Sequence, residues 1–276
     1  MENNSLSKYP FPEAKAVSEL LEAGLQIENV FRASCNYYRK NIENKLIQKG
    51  PLIVQSGLFK GMLLFPGSFS SALLPKWQGT YEKEVQIMLE KHALNIDYFI
   101  NVGCGEGFYL GGVSRWLKIP SVGIDIDPDS RIAVDYISKV NGLQNLISFS
   151  HSMDLDNLNI VGNLLVLIDV DGAEESTLIL LERLLAKLKD VTSILLFIET
   201  DLNSEGKDNT TSIVEKLTIL GYSVQSNIQQ NPSCHFLDSY SNYLTEATPL
   251  SFMEQALYSA ECRRGGQSWI MATHSN

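Results

Sequence analysis

The segment Phe99–Gly112, FINVGCGEGFYLGG, sets Gly103, Gly105 and Gly107 at alternate positions directly after a short apolar run. An apolar strand that breaks into alternate glycines makes a sharp turn whose backbone, free of β-carbons, comes close to a ligand. The helix expected from about Phe108 points unpaired amide N–H groups at the same place. The strand-to-helix rhythm then repeats. SVGIDI, NLLVLIDV and SILLFIET are near-continuous apolar runs, separated by segments of helical period such as DSRIAVDYISKVNG and AEESTLILLERLLAKLK, with YSVQSNI and SWIMAT as later strands. Strands that are apolar on both faces and alternate with helices predict an α/β protein with a doubly wound, mostly parallel sheet.

Ahead of this pattern, residues 11–48 carry apolar side chains at helical spacing, and the stretch from SGLFKGM through FPGSFSSALLPKW reads as irregular or short-strand structure. The expected division is a helical N-terminal addition over residues 1–78, serving acceptor binding or a homodimer contact, and a cofactor-binding domain over 79–276. The formal charge of −10 argues against a nucleic-acid partner, which calls for a positive patch that displaces counterions. No run approaches the ~20 apolar residues that span a bilayer, so no membrane partner is expected. The four cysteines are scattered without CxxC spacing, and MENNSLSKYP lacks a secretory apolar core. Together these features point to reduced thiols in a cytoplasmic protein.

The glycine spacing is GxGxG, with Phe108 standing where a dinucleotide fingerprint wants its third glycine. A turn that binds nothing is the plain alternative. The form resembles the cofactor loop of class I S-adenosylmethionine-dependent methyltransferases, with Asn101 where an acidic residue is more usual. Gly103, Cys104, Gly105, Gly107 and Phe108 are therefore candidate cofactor contacts. About 20 residues on, VGIDIDPD offers Asp125 and Asp127 as carboxylates for the ribose hydroxyls. Asp125 fits the general class I pattern and is preferred, while Asp127, directly before Pro128, fits the nearer family named below. Ser152, Met153 and Asp154, after the third strand, are candidates for the adenine edge or form an ordinary polar loop.

The most specific signal is LVLIDVDGAEE, in which Asp169 and Asp171 follow a buried strand directly. Carboxylates there are costly unless the strand end opens into a polar site. The motif resembles the DVEGAE signature of the FkbM-like methyltransferase family, with aspartate at position 171. SGLFKGM, GTYEKEV, INVGCGEGFY and LLFIETD look like that family in the same order, over roughly residues 55–275, and the first 50 residues match none of it. The resemblance implies a Rossmann-like fold, S-adenosylmethionine as cofactor, and O-methylation of a hydroxyl on a sugar, glycan or secondary metabolite. It also implies that Tyr81 or Glu82 touches the methionine end of the cofactor, and that Asp169 acts as general base or orients the acceptor. Asp169 contacting the cofactor is the alternative.

Asp169, Asp171 and Glu199 also form a hard-oxygen set for magnesium or calcium, although the resemblance requires no metal. Charge at a helix N-terminus accounts for Glu175 and is an alternative for Glu174. His235 could border the acceptor, and Arg263 and Arg264 could pair with an acidic one; each also reads as a surface residue. Two other functions fit the same residues. One is a protein of this fold that binds the cofactor without turnover, which the changes at Asn101 and Asp171 keep open. The other is a nicotinamide-dependent oxidoreductase, disfavoured by the GxGxG spacing and the lack of a Tyr-x-x-x-Lys pair.

Overall fold

In a computed structural model, residues 12–69, 71–153, 155, 159–200, 209–229 and 268–275 are described. Asp154, His235, Arg263 and Arg264 lie outside them. Four helices, α1 (Pro12–Glu22), α2 (Ile27–Lys49), α3 (Leu73–Gln78) and α4 (Lys83–His92), precede the first strand, β1 (Tyr98–Val102). Then follow α5 (Phe108–Leu117), β2 (Ser121–Ile124), α6 (Pro128–Val140), β3 (Ile147–Ser150), β4 (Gly162–Ile168) and α7 (Glu174–Leu185). The remaining elements are β5 (Val191–Thr200), α8 (Thr210–Ile219), β6 (Ser223–Gln229) and β7 (Ser268–Ser275).

The seven strands form one sheet in the order β3-β2-β1-β4-β5-β7-β6, parallel except that β7 runs antiparallel to both β5 and β6. This is the doubly wound, mostly parallel sheet expected from the sequence. Alternate residues of each strand go to opposite faces, as the strand period of two requires. Phe99, Leu165, Leu167, Phe197 and Trp269 join the core under α4 and α5, whereas Ile100, Leu164, Val166, Leu196 and Ile270 join that under α7 and α8. Because β1 is flanked by β2 on one side and β4 on the other, the strand order reverses beside its carboxyl end. Ligands of such sheets bind at that switch point.

The single helix-like run near the N-terminus is broken in two. Gly24, at φ 86°, ends α1 with its N–H on the Leu21 carbonyl and the Leu25 N–H on that of Leu20, a Schellman stop. Within the stretch read as irregular, Leu73–Gln78 is helical, because proline is tolerated in a first turn and the buried Glu43 carboxylate accepts the Leu74 N–H at 3.0 Å. The expected short-strand character is limited to an antiparallel bridge between Ile53 and Leu63. That hairpin is clasped to α3 by Gln55 N–H on Trp77 O and by Ser56 Oγ donating to Gln78 O at 2.5 Å. A β-carbon on Gly79 would lie 1.9 Å from Ser56 O, so only glycine closes this clasp. Among the described residues, no helix is long and apolar enough to cross a membrane.

Candidate active site

The glycine turn leaves β1 at the switch point. Gly103 takes φ 73°, and a β-carbon there would stand 1.6 Å from the backbone oxygen of Asp169. The ends of β1 and β4 can approach this closely only around glycine. Gly107, at φ 85°, is the N-cap of α5. Between them the Gly105 N–H donates to Asp125 Oδ2 at 2.8 Å, tying the turn to the end of β2. Gly105 itself faces open space: among the described residues nothing lies within 4 Å of where a β-carbon would stand. The Cys104 thiol is buried, and desolvation, reinforced by the charge of Asp125, raises its pKa well above the usual thiol range. It is an inert wall of the turn rather than a nucleophile.

The two candidate aspartates after β2 are in different situations. Asp127 is exposed and caps α6, its Oδ1 accepting the Asp129 N–H at 2.9 Å. Asp125 is half-buried and receives the N–H groups of Gly105 and Asp127 on its two oxygens. Ile126 between them is 91% exposed, an unusual position for a large apolar side chain at a cavity edge. Ser130, one turn into α6, is buried, and its hydroxyl has no hydrogen-bond partner among the described residues although it lines the cavity.

At the end of β4, Asp169 extends the strand by donating its N–H to Val102 O at 2.9 Å. The register that sets Ile168 opposite Ile198 brings Glu199 of β5 alongside. The Glu199 side chain is hydrogen-bonded to Asp169, which favours the ionised form of the Asp169 carboxyl. Burial pushes Asp169 up to about 6, with the hydrogen bond to Glu199 opposing, the charges of Glu82 and Asp171 adding to the rise, and Lys76 opposing. Asp171 sits at φ 30° in the turn before α7. Glu174 is buried, accepting from Gly172 N–H at 2.7 Å and Asn209 Nδ2 at 2.9 Å, and Glu175 pairs with Lys216. Both glutamates therefore act in the architecture of α7. Among the described residues no group of three or more His, Cys, Asp or Glu side chains is arranged to hold a metal ion.

A buried ion pair closes the other wall. Lys76 of α3 pairs with Glu106 of the glycine turn, donates to Ser71 Oγ at 2.6 Å, and sits 4.6 Å from the ring centroid of Tyr81. The Tyr81 and Phe108 rings meet edge to face at 5.4 Å. Glu82, held at φ 44°, is buried and takes a 2.5 Å hydrogen bond from Tyr109 Oη. Sequence reading missed Lys76, Glu106, Tyr109 and Ser130. The ion pair spans 30 residues of chain, and Lys76 lies in a stretch whose composition suggests only irregular backbone.

All these walls face one cavity of about 1360 Å³. Of the residues singled out from the sequence, Tyr81, Gly103, Cys104, Gly105 and Phe108 line it, as do Asp125, Asp127, Ser152, Met153 and Asp169. Asp171 and Glu199 face it as well. Gly107 and Glu82 stand behind the lining, the one capping α5 and the other holding Tyr109.

No protein-family model matches the chain, and no curated protein sequence does. Solved structures share its fold. The [4+2]-cyclase SpnF is 16% identical, covering 86% of this chain and 92% of its own, with a TM-score of 0.50. Precorrin-6y C5,15-methyltransferase from Geobacter metallireducens GS-15 (14% identical, 71% and 88% covered, TM-score 0.44) is also similar. So is a SAM-dependent methyltransferase from Aquifex aeolicus (15%, 68% and 88%, 0.44). The chain has a Rossmann-like fold of the kind found in the cyclase, whose TM-score is 0.50. At such identities the likeness is one of fold, and function has to be argued from the site.

Proposed function

We propose that this chain is an S-adenosylmethionine-dependent methyltransferase that methylates a hydroxyl on a sugar, glycan or secondary metabolite, in the manner of the FkbM-like enzymes its motifs resemble. The observation that carries this reading is the hydrogen bond from Gly105 to Asp125, which joins turn and carboxylate in the cavity that also holds Asp169. The cavity suits the cofactor chemically. The buried Ser130 hydroxyl, unpartnered among the described residues, and the half-buried Asp125 offer polar groups to a ligand, and Ile126 presents an apolar face beside them. Asp125 would hold the ribose, Ile126 would cover the adenine, and the acidic strand ends suit a positively charged ligand.

When bound, the cofactor supplies an activated methyl group on a sulfonium, and the protein's part is alignment. Asp169 receives the proton of the acceptor hydroxyl, and a carboxyl raised to about 6 is a stronger base than an ordinary one yet is still ionised at neutral pH. Glu199, hydrogen-bonded to Asp169, keeps that carboxyl oriented. Tyr81 and Phe108 form an apolar wall that keeps water from competing with the acceptor.

A second reading keeps the fold and the cofactor without methyl transfer. It draws support from the neighbour of TM-score 0.50, which is named for cyclisation. Calorimetry with S-adenosylmethionine and NADH, followed by an assay for released S-adenosylhomocysteine over a panel of hydroxylated sugars, tests both readings. Binding with turnover supports the first, binding without turnover the second. Absence of S-adenosylmethionine binding sinks both.

A further inference from the structure

A second cavity, of about 250 Å³, lies across α7 from the first and shares no lining residue with it. Leu178, Leu181 and Leu185, one stripe of α7 at helical spacing, line the smaller cavity, whereas Thr177, Leu180 and Leu184 of the opposite stripe line the larger. Facing α7 are Ile194 of β5, Leu220 and Tyr222 of the turn into β6, and His274 of β7. Antiparallel pairing sets His274 opposite Ile194, early in β5, so this cavity is at the amino end of that strand. Asp125 and Asp169 stand beyond the carboxyl ends of theirs. Gly221, at φ 84°, would place a β-carbon 3.4 Å from His274 Nε2, so glycine lets the turn close on the imidazole. The Tyr222 and His274 ring centroids are 5.1 Å apart.

Both rings carry a buried polar atom, Tyr222 Oη and His274 Nδ1, without a hydrogen-bond partner among the described residues. Tyr222 is only 9% exposed, and a tyrosine that deep ordinarily pairs its hydroxyl. Two such atoms on one wall, with leucine and isoleucine around them, match the make-up of a small-molecule site: mostly apolar, with few placed polar groups. Burial, with the charge of Glu182 adding, pushes the Tyr222 phenol up to about 12, so it remains a donor at neutral pH. We propose that this cavity binds a neutral single-ring molecule bearing one hydroxyl, a phenol or cyclic alcohol. The ligand oxygen accepts from Tyr222 Oη, and its proton is donated to His274 Nδ1 in the tautomer protonated at Nε2. A cavity of ~150 Å³ already holds benzene, and this one has room for the ring and its substituent. Glu182, at the rim and exposed, repels an anion and is too well solvated to offset the burial of a cation. The inference stands on this cavity alone and does not depend on the methyltransferase reading.

The test is an NMR titration of the full chain with phenol, and with benzene and benzylamine for comparison, on wild type, Tyr222→Phe and His274→Phe. Phenol should bind wild type at least tenfold more tightly than either comparison compound. Tyr222→Phe should weaken phenol at least tenfold and leave benzene unchanged, and His274→Phe should weaken phenol several-fold. Tyr222→Phe keeps the ring and removes only an unpaired hydroxyl, so it should melt at or above the wild-type temperature. A lower melting temperature would mean that water or protein already pairs the hydroxyl, and would overturn the inference. So would failure of phenol to bind wild type, or phenol binding either variant as tightly as wild type. Benzylamine binding more tightly than phenol would overturn the assignment of a neutral ligand.

Discussion

Gly105 and Asp125 lie 20 residues apart in sequence and are joined by a 2.8 Å hydrogen bond, N–H to carboxylate, across the switch point of the sheet. The bond fixes the turn against β2 and leaves Asp125 facing the cavity, while Asp127 is committed to the cap of α6. Asp125→Ala should therefore weaken S-adenosylmethionine at least tenfold. Asp127→Ala should mainly cost about 1 kcal/mol of stability, the usual value of an N-cap. Calorimetry and urea denaturation on the two variants separate these effects, and loss of binding in Asp127→Ala alone would reverse the assignment.

Gly103→Ala combines a positive φ with a β-carbon 1.6 Å from a backbone oxygen. Neither neighbour can give way without moving the end of β4. The expected loss is more than about 2 kcal/mol by urea denaturation, a severe effect for one methyl group.

The raised pKa of Asp169 sets two pH dependences. An ionisable acid with a folded-state pKa of about 6, against 3.8 ordinarily, binds its proton more tightly when folded, so its ionisation costs stability as pH rises between those values and the cost is complete above 6. Asp169→Asn should match wild type in stability near pH 4 and exceed it above pH 6.5, as seen in denaturation curves across that range. Methyl transfer should show kcat/KM rising with pH through about 6. The Asn variant should lose on the order of 100-fold or more, in line with removal of a general base. A pH-independent wild-type rate between 5 and 7 would remove Asp169 from that role.

Lys76 and Glu106 are both buried, and truncating one leaves the other charge unpaired. Lys76→Met should destabilise the chain by about 3–5 kcal/mol, and adding Glu106→Gln should recover a large part of that loss. A double-mutant cycle in urea measures the coupling, and simple additivity would mean the pair contributes nothing as a pair.

The sheet was legible because its central strands are apolar on both faces, and a run such as NLLVLIDV has few other ways to be buried. The glycine turn, Asp125 and Asp169 were legible for a related reason, since each breaks an apolar strand at its carboxyl end. The walls opposite were hidden. Lys76 meets Glu106, and Tyr109 meets Glu82, through folding of the segment before β1 over the turn, and no local period records such long-range pairing. The break at Gly24 was readable as a Schellman stop, but the helical spacing on both sides of it masked the signal.

The position of β7 governs how the chain is made. Residues 268–275 fill the gap between β5 and β6, so the sheet cannot close until they have left the ribosome. At ~5–20 residues per second, β5 waits roughly 3 to 14 s for its neighbour after its own synthesis. Through that interval its backbone edge is an unpaired apolar template, the state in which a nascent chain is most open to chaperones and to pairing with the wrong strand.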